Sequence, residues 1–217
     1  MDSFGVESFT DQRIHSRFIS LLAGEKRGKL LDVGAGTGAF SRKLKAEGFD
    51  VTACDISPQN FVAEGIVCKK ADLNTTFPFS DAEFDFVVSA EVIEHIENPW
   101  FFLRELYRIT KPGGTVIIST PNLHNWYVRL YFALTSKMFN FLSSYEKIGH
   151  ITPIFVWNLA RMAEGRFDIE KVTTSHSIFP GTDLRLPFKG LFFGQCIVVK
   201  MRRLADEQFT ASRMGRY

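Results

Sequence analysis

The stretch KLLDVGAGTGAF, residues 29–40, decides how the chain is read. An apolar run ends in Asp32 and passes at once into Gly34, Ala35, Gly36 and Gly38, after which a segment begins with Phe40 and Leu44 on one side. This order predicts strand, tight turn and helix, because glycine accepts positive φ and lets a ligand approach the backbone closely. Gly34, Gly36 and Ala39 also fit the dinucleotide spacing G-x-G-x-x-G/A, so spacing alone leaves the ligand open. The flanking residues narrow it. A carboxylate two positions before the first glycine would repel a diphosphate, and it would suit a ligand carrying an ammonium and a sulfonium. No Lys-Ser or Lys-Thr pair completes a phosphate loop.

Working outward, apolar runs at 49–54, 66–70, 84–89 and 115–119 predict four more strands, and helical periods fall between several of them. A leading helix is expected over 14–24, another from 38 to 47, a short one from Ser57-Pro58 to Gly65, and one over 99–110 that Lys111-Pro112-Gly113-Gly114 ends. Strands alternating with helices imply parallel pairing through right-handed crossovers, hence an α/β fold with a twisted sheet covered on both faces. Ligands of such sheets sit at the carboxyl ends of the strands. Asp32, Asp55 with Ile56, Asp72 with Leu73, and Ala90 with Glu91 all fall where a strand runs out, and so share one rim. Residues 122–150 break the alternation with large apolar side chains and predict a helical lid. A helix over 153–163 and strands at 167–175 and 195–201 follow, the two strands joined by a long loop expected to carry a hairpin insert or part of a substrate mouth.

The totals restrict partners and setting. A chain of 217 residues with 45% hydrophobic content can bury one good core, and a single domain over 1–217 is expected. The net charge of +2 gives no field for DNA, and the mildly basic last 18 residues read as solvated. Cys54, Cys68 and Cys196 lack metal-ligand spacing and read as reduced thiols. With no apolar leader and no run long enough to span a bilayer, the expected setting is the cytoplasm, with contact at a membrane surface left open. Composition says nothing of oligomeric state.

Asp55 lies 17 residues past the last glycine of the turn, where a carboxylate can accept both ribose hydroxyls of an adenosine ligand. Asp72 could accept from the adenine amine, with Leu73 packing on the ring; the plainer reading of both acids is as turn formers. LDVGAGTG, the acid in ACDIS, ADLN, FDFVVSAEVIEHIENP and ITKPGGTVIISTPN together resemble the class I S-adenosylmethionine-dependent methyltransferases, in particular the branch containing the ubiquinone-biosynthesis O-methyltransferases. The resemblance implies a Rossmann-like three-layer sandwich whose mostly parallel seven-strand sheet has the order 3-2-1-4-5-7-6, strand 7 antiparallel. It also implies S-adenosylmethionine as cofactor, with S-adenosylhomocysteine as product. Gly34 and Gly36 would approach its methionine part, Asp32 would order the loop and attract the ammonium, Asp55 would hold the ribose, and Asp72 with Leu73 the adenine.

A methyl on positive sulfur is already a strong electrophile, so the protein mainly has to align a nucleophile and exclude water. A hydroxyl nucleophile also needs a proton acceptor, and His95, just past strand four, and His150, after the lid, are the candidates. Each has a structural alternative as a packing or loop-ordering side chain. Glu91, Glu94 and His95 would share one face of a helical turn and, with His150, could begin a divalent-metal site. That string resembles one in the small-RNA 3′-terminal 2′-O-methyltransferases, but small-molecule members of the class share it. Otherwise Glu91 contacts the cofactor and Glu94 pairs locally. The lid, with Trp126, Tyr127, Tyr131, Phe132, Phe139 and Phe141, is aromatic and not basic, which argues against RNA. It fits packing on the sheet, a small, lipid-linked or glycan-linked acceptor, or peripheral contact with a membrane. The expected activity is O-methylation of such an acceptor, with a metal-assisted RNA 2′-O-methyltransferase and a non-catalytic cofactor-binding partner as alternatives.

Overall fold

A computed structural model describes residues 10–141, 149–177 and 190–205. The chain runs α1 (Gln12–Leu22), β1 (Lys29–Val33), α2 (Ala39–Ala46), β2 (Asp50–Asp55), β3 (Val67–Lys70), β4 (Phe84–Ala90), α3 (Pro99–Ile109), β5 (Thr110–Pro121), α4 (Trp126–Thr135), α5 (Val156–Ala163), β6 (Phe167–Thr174) and β7 (Cys196–Arg203). The sheet has the order β3-β2-β1-β4-β5-β7-β6, the order that the resemblance implies. β7 runs antiparallel to both neighbours and the other described pairings are parallel.

Two hydrophobic layers follow from the period of two along each central strand. On one face Leu31, Val87, Val116, Ile118 and Val199 pack with Phe102, Leu103 and Leu106 of α3 and Leu159 and Met162 of α5. On the other Leu30, Phe86, Val88, Ile117 and Val198 pack with Phe18 and Leu22 of α1 and Phe40 and Leu44 of α2. Adjacent residues of one strand thus serve opposite layers, which is the three-layer sandwich.

Several boundaries differ from expectation for local reasons. α1 starts at Gln12 because Asp11 caps it, its carboxylate accepting the Arg13 N–H (2.8 Å). The segment after Asp55 forms only a single 3-10 turn over Pro58–Asn60, without a full helix to Gly65. β5 begins at Thr110 because the Lys111–Gly114 stretch continues alongside β4 through an irregular register between Phe84 and Phe86. The expected lid is helical over α4 and in a 3-10 turn at Phe139–Phe141, and its continuation over 142–148 lies outside the described residues. Most of the loop expected to hold a hairpin, 178–189, also lies outside them. Among the described residues no helix is long and apolar enough to cross a membrane.

Candidate functional site

The glycine turn joins β1 to α2 at the carboxyl edge of the sheet. Gly34 and Ala35 both donate their N–H groups to the Cys54 carbonyl (2.9 and 3.1 Å), which pins the turn to the end of β2. Gly34 has φ +72°, and a Cβ there would meet Val92 Cγ2 at 2.4 Å. The close approach that requires glycine at 34 is therefore intramolecular, to Val92 after β4, and not to a ligand. Gly34→Ala adds a left-handed alanine and a clash in a packed site, together about 3 kcal/mol of lost stability. A thermal melt should show that drop; an unchanged midpoint would mean that Val92 moves aside freely.

Asp55 ends β2 and faces the turn. Its Oδ2 accepts the Gly36 N–H (2.8 Å) and its Oδ1 the Ser57 N–H (2.9 Å). A carboxylate has about four acceptor positions, so each oxygen keeps capacity for one more donor, as a vicinal diol would supply. Ile56 beside it is 61% exposed, an apolar side chain standing at a polar rim. At the end of β3 Asp72 is exposed, with Oδ1 taken by the Asn74 N–H (2.9 Å). Leu73 turns into the core beneath, so the exposed apolar surface available to a flat ring on this side is that of Ile56.

Asp32 is buried beneath the turn and accepts the Ser41 hydroxyl (2.6 Å), tying β1 to the first turns of α2. Burial, with the Asp55 charge nearby, pushes its carboxyl up to about 7, against the Ser41 hydrogen bonds. Sequence reading missed Ser41 as its partner, although a hydroxyl nine residues on and one helical turn past Gly38 is a visible signal.

Beyond β4, Ala90 is buried and Glu91 takes a left-handed conformation, φ +57°. The expected helical turn carrying Glu91, Glu94 and His95 on one face is not what forms. The 3-10 turn spans only Ile93–His95, and the backbone of Glu91 sends its side chain elsewhere, where Oε1 accepts from the Cys196 thiol of β7 (3.0 Å). Burial raises the pKa of Glu91 above the carboxylate range, and the thiol's hydrogen bond opposes this.

Glu94, His95 and His150 do come together. One ligating atom from each lies within 4.8 Å of the others, and His150 Nε2 is 3.9 Å from Glu94 Oε1. Fifty-six residues separate Glu94 from His150, and the backbone closes the distance. The Glu94 carbonyl accepts the N–H groups of Ile151 and Thr152 (both 2.9 Å), and the Thr152 hydroxyl donates to the Ile96 carbonyl (2.6 Å). His95 Nδ1 lies 3.2 Å from the Gly149 carbonyl and His150 Nδ1 2.6 Å from the Asn140 carbonyl. A carbonyl only accepts, so both Nδ1 atoms carry the proton and both Nε2 atoms keep a lone pair in the neutral rings. The His95 pKa falls below its usual value, mainly by burial and also through the neighbouring His150, while the bond to Gly149 opposes the fall. Glu94 is 0% exposed, and neither carboxylate oxygen has a well-formed hydrogen bond. Burial first, then the Glu91 charge, raises its pKa well above the carboxylate range. The two carbonyls that orient the imidazoles carry no sequence signal, since any residue supplies one.

The aromatic lid covers this corner only in part. Tyr127 and Tyr131 meet Phe139 edge-on (5.6 and 5.5 Å), Phe141 meets His150 (5.4 Å), and the Tyr127 hydroxyl donates to Gln195 Oε1 (2.9 Å). His124 is a structural residue, its Nε2 accepting the Val156 N–H (3.2 Å) at the start of α5.

Residues 31–118 match the family described as methyltransferase domain. The chain is 38% identical over 101 residues to a ubiquinone biosynthesis O-methyltransferase of Rickettsia typhi, covering 43% of this chain and 41% of that protein. It is 36% identical over 114 residues to a malonyl-[acyl-carrier protein] O-methyltransferase of Erwinia billingiae, covering 50% and 45%. The chain thus spans less than half the length of these curated relatives. Solved methyltransferases of Archaeoglobus fulgidus (TM-score 0.63, 20% identity, 86% of this chain and 90% of that one) and Methanosarcina mazei (TM-score 0.61, 20% identity, 87% and 98%) share the fold. Motif order, sheet order and the matched segment agree, and through its segment 31–118 the chain belongs to the class I S-adenosylmethionine-dependent methyltransferases.

Proposed function

We propose that the chain transfers a methyl group from S-adenosylmethionine to an oxygen of a small, lipid-linked or glycan-linked acceptor. The observation that carries this is Asp55, doubly anchored by backbone N–H groups with acceptor capacity to spare, on the same rim as the Glu94, His95 and His150 cluster. In this reading Asp55 takes the ribose hydroxyls, Ile56 and Asp72 border the adenine, and Asp32 draws the ammonium towards the turn. Ala90 and Glu91 flank the methionine part. When bound, the cofactor supplies an activated methyl group. His95, held neutral with Nε2 bare, accepts the hydroxyl proton as the acceptor oxygen attacks. The aromatic side chains of the lid, Tyr127, Tyr131, Phe139 and Phe141, exclude water beside it. Transfer of a labelled methyl group to extracted lipids, glycans and RNA is the test, and label in RNA alone would overturn the acceptor class.

A second reading is favoured by one observation, the buried Glu94 carboxylate without a well-formed hydrogen bond between two imidazole lone pairs. One carboxylate and two imidazoles, each imidazole with its other nitrogen bonded to a carbonyl, suit a divalent cation of the manganese, iron or zinc kind. Glu94, His95 and His150 would hold it, and it would lower the pKa of an acceptor hydroxyl, taking over the work given to His95. Chelation should then cut turnover by about tenfold or more, with manganese or magnesium restoring it, and Glu94→Gln should lose the restoration. Full turnover after chelation would leave His95 as the base.

A further inference from the structure

Helix α4 is apolar nearly all round and yet buries a single side chain, Val128. Its outer half exposes Leu130, Phe132 and Leu134, the last at 76%, and exposed Phe192 lies beside its first turn, where the Trp126 N–H donates to the Phe192 carbonyl (3.0 Å). What fixes α4 is its start. Asn125 accepts the Tyr127 N–H and donates to the carbonyls of Phe193 and Gly194, so the helix stands out from the sheet instead of lying along it. A helix of this composition has its apolar surface covered in a stable setting, by protein or by lipid.

Charge chooses between the two. Over residues 119–163 the sequence carries Arg129, Lys137, Lys147 and Arg161 against Glu146 alone, while the whole chain is only +2, so its positive excess lies in this stretch. Among the described residues of the stretch there is no Asp or Glu. A face of leucine and phenylalanine edged by cations and free of acids matches an anionic lipid surface. A protein groove would account for the apolar face but not for the one-sided charge. Position agrees: α4 follows the carboxyl end of β5, and half-exposed Trp157 opens α5 at the same end of the sheet.

We propose that the α4 face docks on an anionic phospholipid surface and lays the acceptor rim against it, a step that rests on the lipid-linked acceptor reading above. Flotation of the full chain with vesicles of phosphatidylcholine, alone or mixed with phosphatidylglycerol, tests it. The protein should float with the mixed vesicles and much less with the neutral ones. Leu130→Glu with Leu134→Glu should weaken binding by about tenfold or more. Arg129→Gln and Lys137→Gln should each weaken it roughly fivefold, and high salt should mimic them. Leu130, Leu134, Arg129 and Lys137 are exposed, so thermal midpoints should stay at the wild-type value and report intact folding. Absence of flotation with either vesicle overturns the proposal. So does a dimer in sedimentation that Leu134→Glu dissolves while vesicles bind nothing, because a second copy then covers the face. Calorimetry with S-adenosylhomocysteine on the same sample separates the two readings. Ligand bound without flotation removes docking alone, and flotation without ligand removes the methyl-donor reading alone.

Discussion

Asp55→Ala should weaken S-adenosylhomocysteine binding by about a hundredfold or more, read by calorimetry. Two hydrogen bonds from ribose hydroxyls to an ionised carboxylate contribute about 1.5–3 kcal/mol each, and a total near 4 kcal/mol corresponds to about three orders of magnitude. The alanine also removes the acceptors of the Gly36 and Ser57 N–H groups, so the turn itself loosens. Asp55→Asn separates these effects, because its single carbonyl oxygen can replace one backbone bond while its amide cannot accept. It should fall between wild type and alanine. Wild-type affinity in the alanine protein would show that the ribose binds elsewhere.

The second large effect is a dependence on pH through Asp32. Its carboxyl ordinarily titrates at 3.8 and is raised to about 7 in the folded protein, chiefly by burial. The folded state therefore keeps a proton that the unfolded chain has released. The contribution to stability is complete below the unfolded value, shrinks as pH rises, and is lost once pH passes about 7. A rise from 3.8 to about 7 corresponds to about 4 kcal/mol. Without ligand, the thermal midpoint should fall between pH 6 and pH 8 on the order expected from this titration. The ligand reverses the sign. Its ammonium favours the ionised carboxylate, so affinity for S-adenosylhomocysteine should rise by about tenfold from pH 6 towards pH 8. Asp32→Asn should be more stable than wild type at the higher pH and should bind with an affinity that no longer follows pH in this range. If that variant keeps the wild-type affinity profile, Asp32 does not meet the ammonium.

These two residues also show what kind of information a sequence carries. Asp32 and Asp55 were legible because each sits at the end of an apolar run beside a glycine turn, and a parallel sheet places all such ends on one rim. The glycines were legible as a turn, but the reason for Gly34 was not. Its missing Cβ makes room for Val92, 58 residues later, and no local pattern records a contact between separate strand ends. Leu73, expected against a ring, belongs to the core, because one residue of offset at a strand end exchanges rim for interior.

The string Glu91, Glu94, His95 shows the limit from the other side. Helical spacing would have put all three on one face, yet the left-handed backbone at Glu91 turns its side chain to Cys196 and leaves the other two to meet His150. Likewise α4 has the composition of a core helix, and only the attachment at Asn125 makes it stand out into solvent.

By itself the sequence determined the strand and helix order, the glycine turn and the row of strand-end acids, because these depend on local periodicity, turn chemistry and the rule that joins parallel strands. Only the tertiary structure decided that His150 closes on Glu94 and His95, that both imidazoles present Nε2, and that α4 leaves its apolar side uncovered. Those outcomes are set by backbone carbonyls and contacts between residues far apart in the chain, which every residue type can supply and no spacing announces.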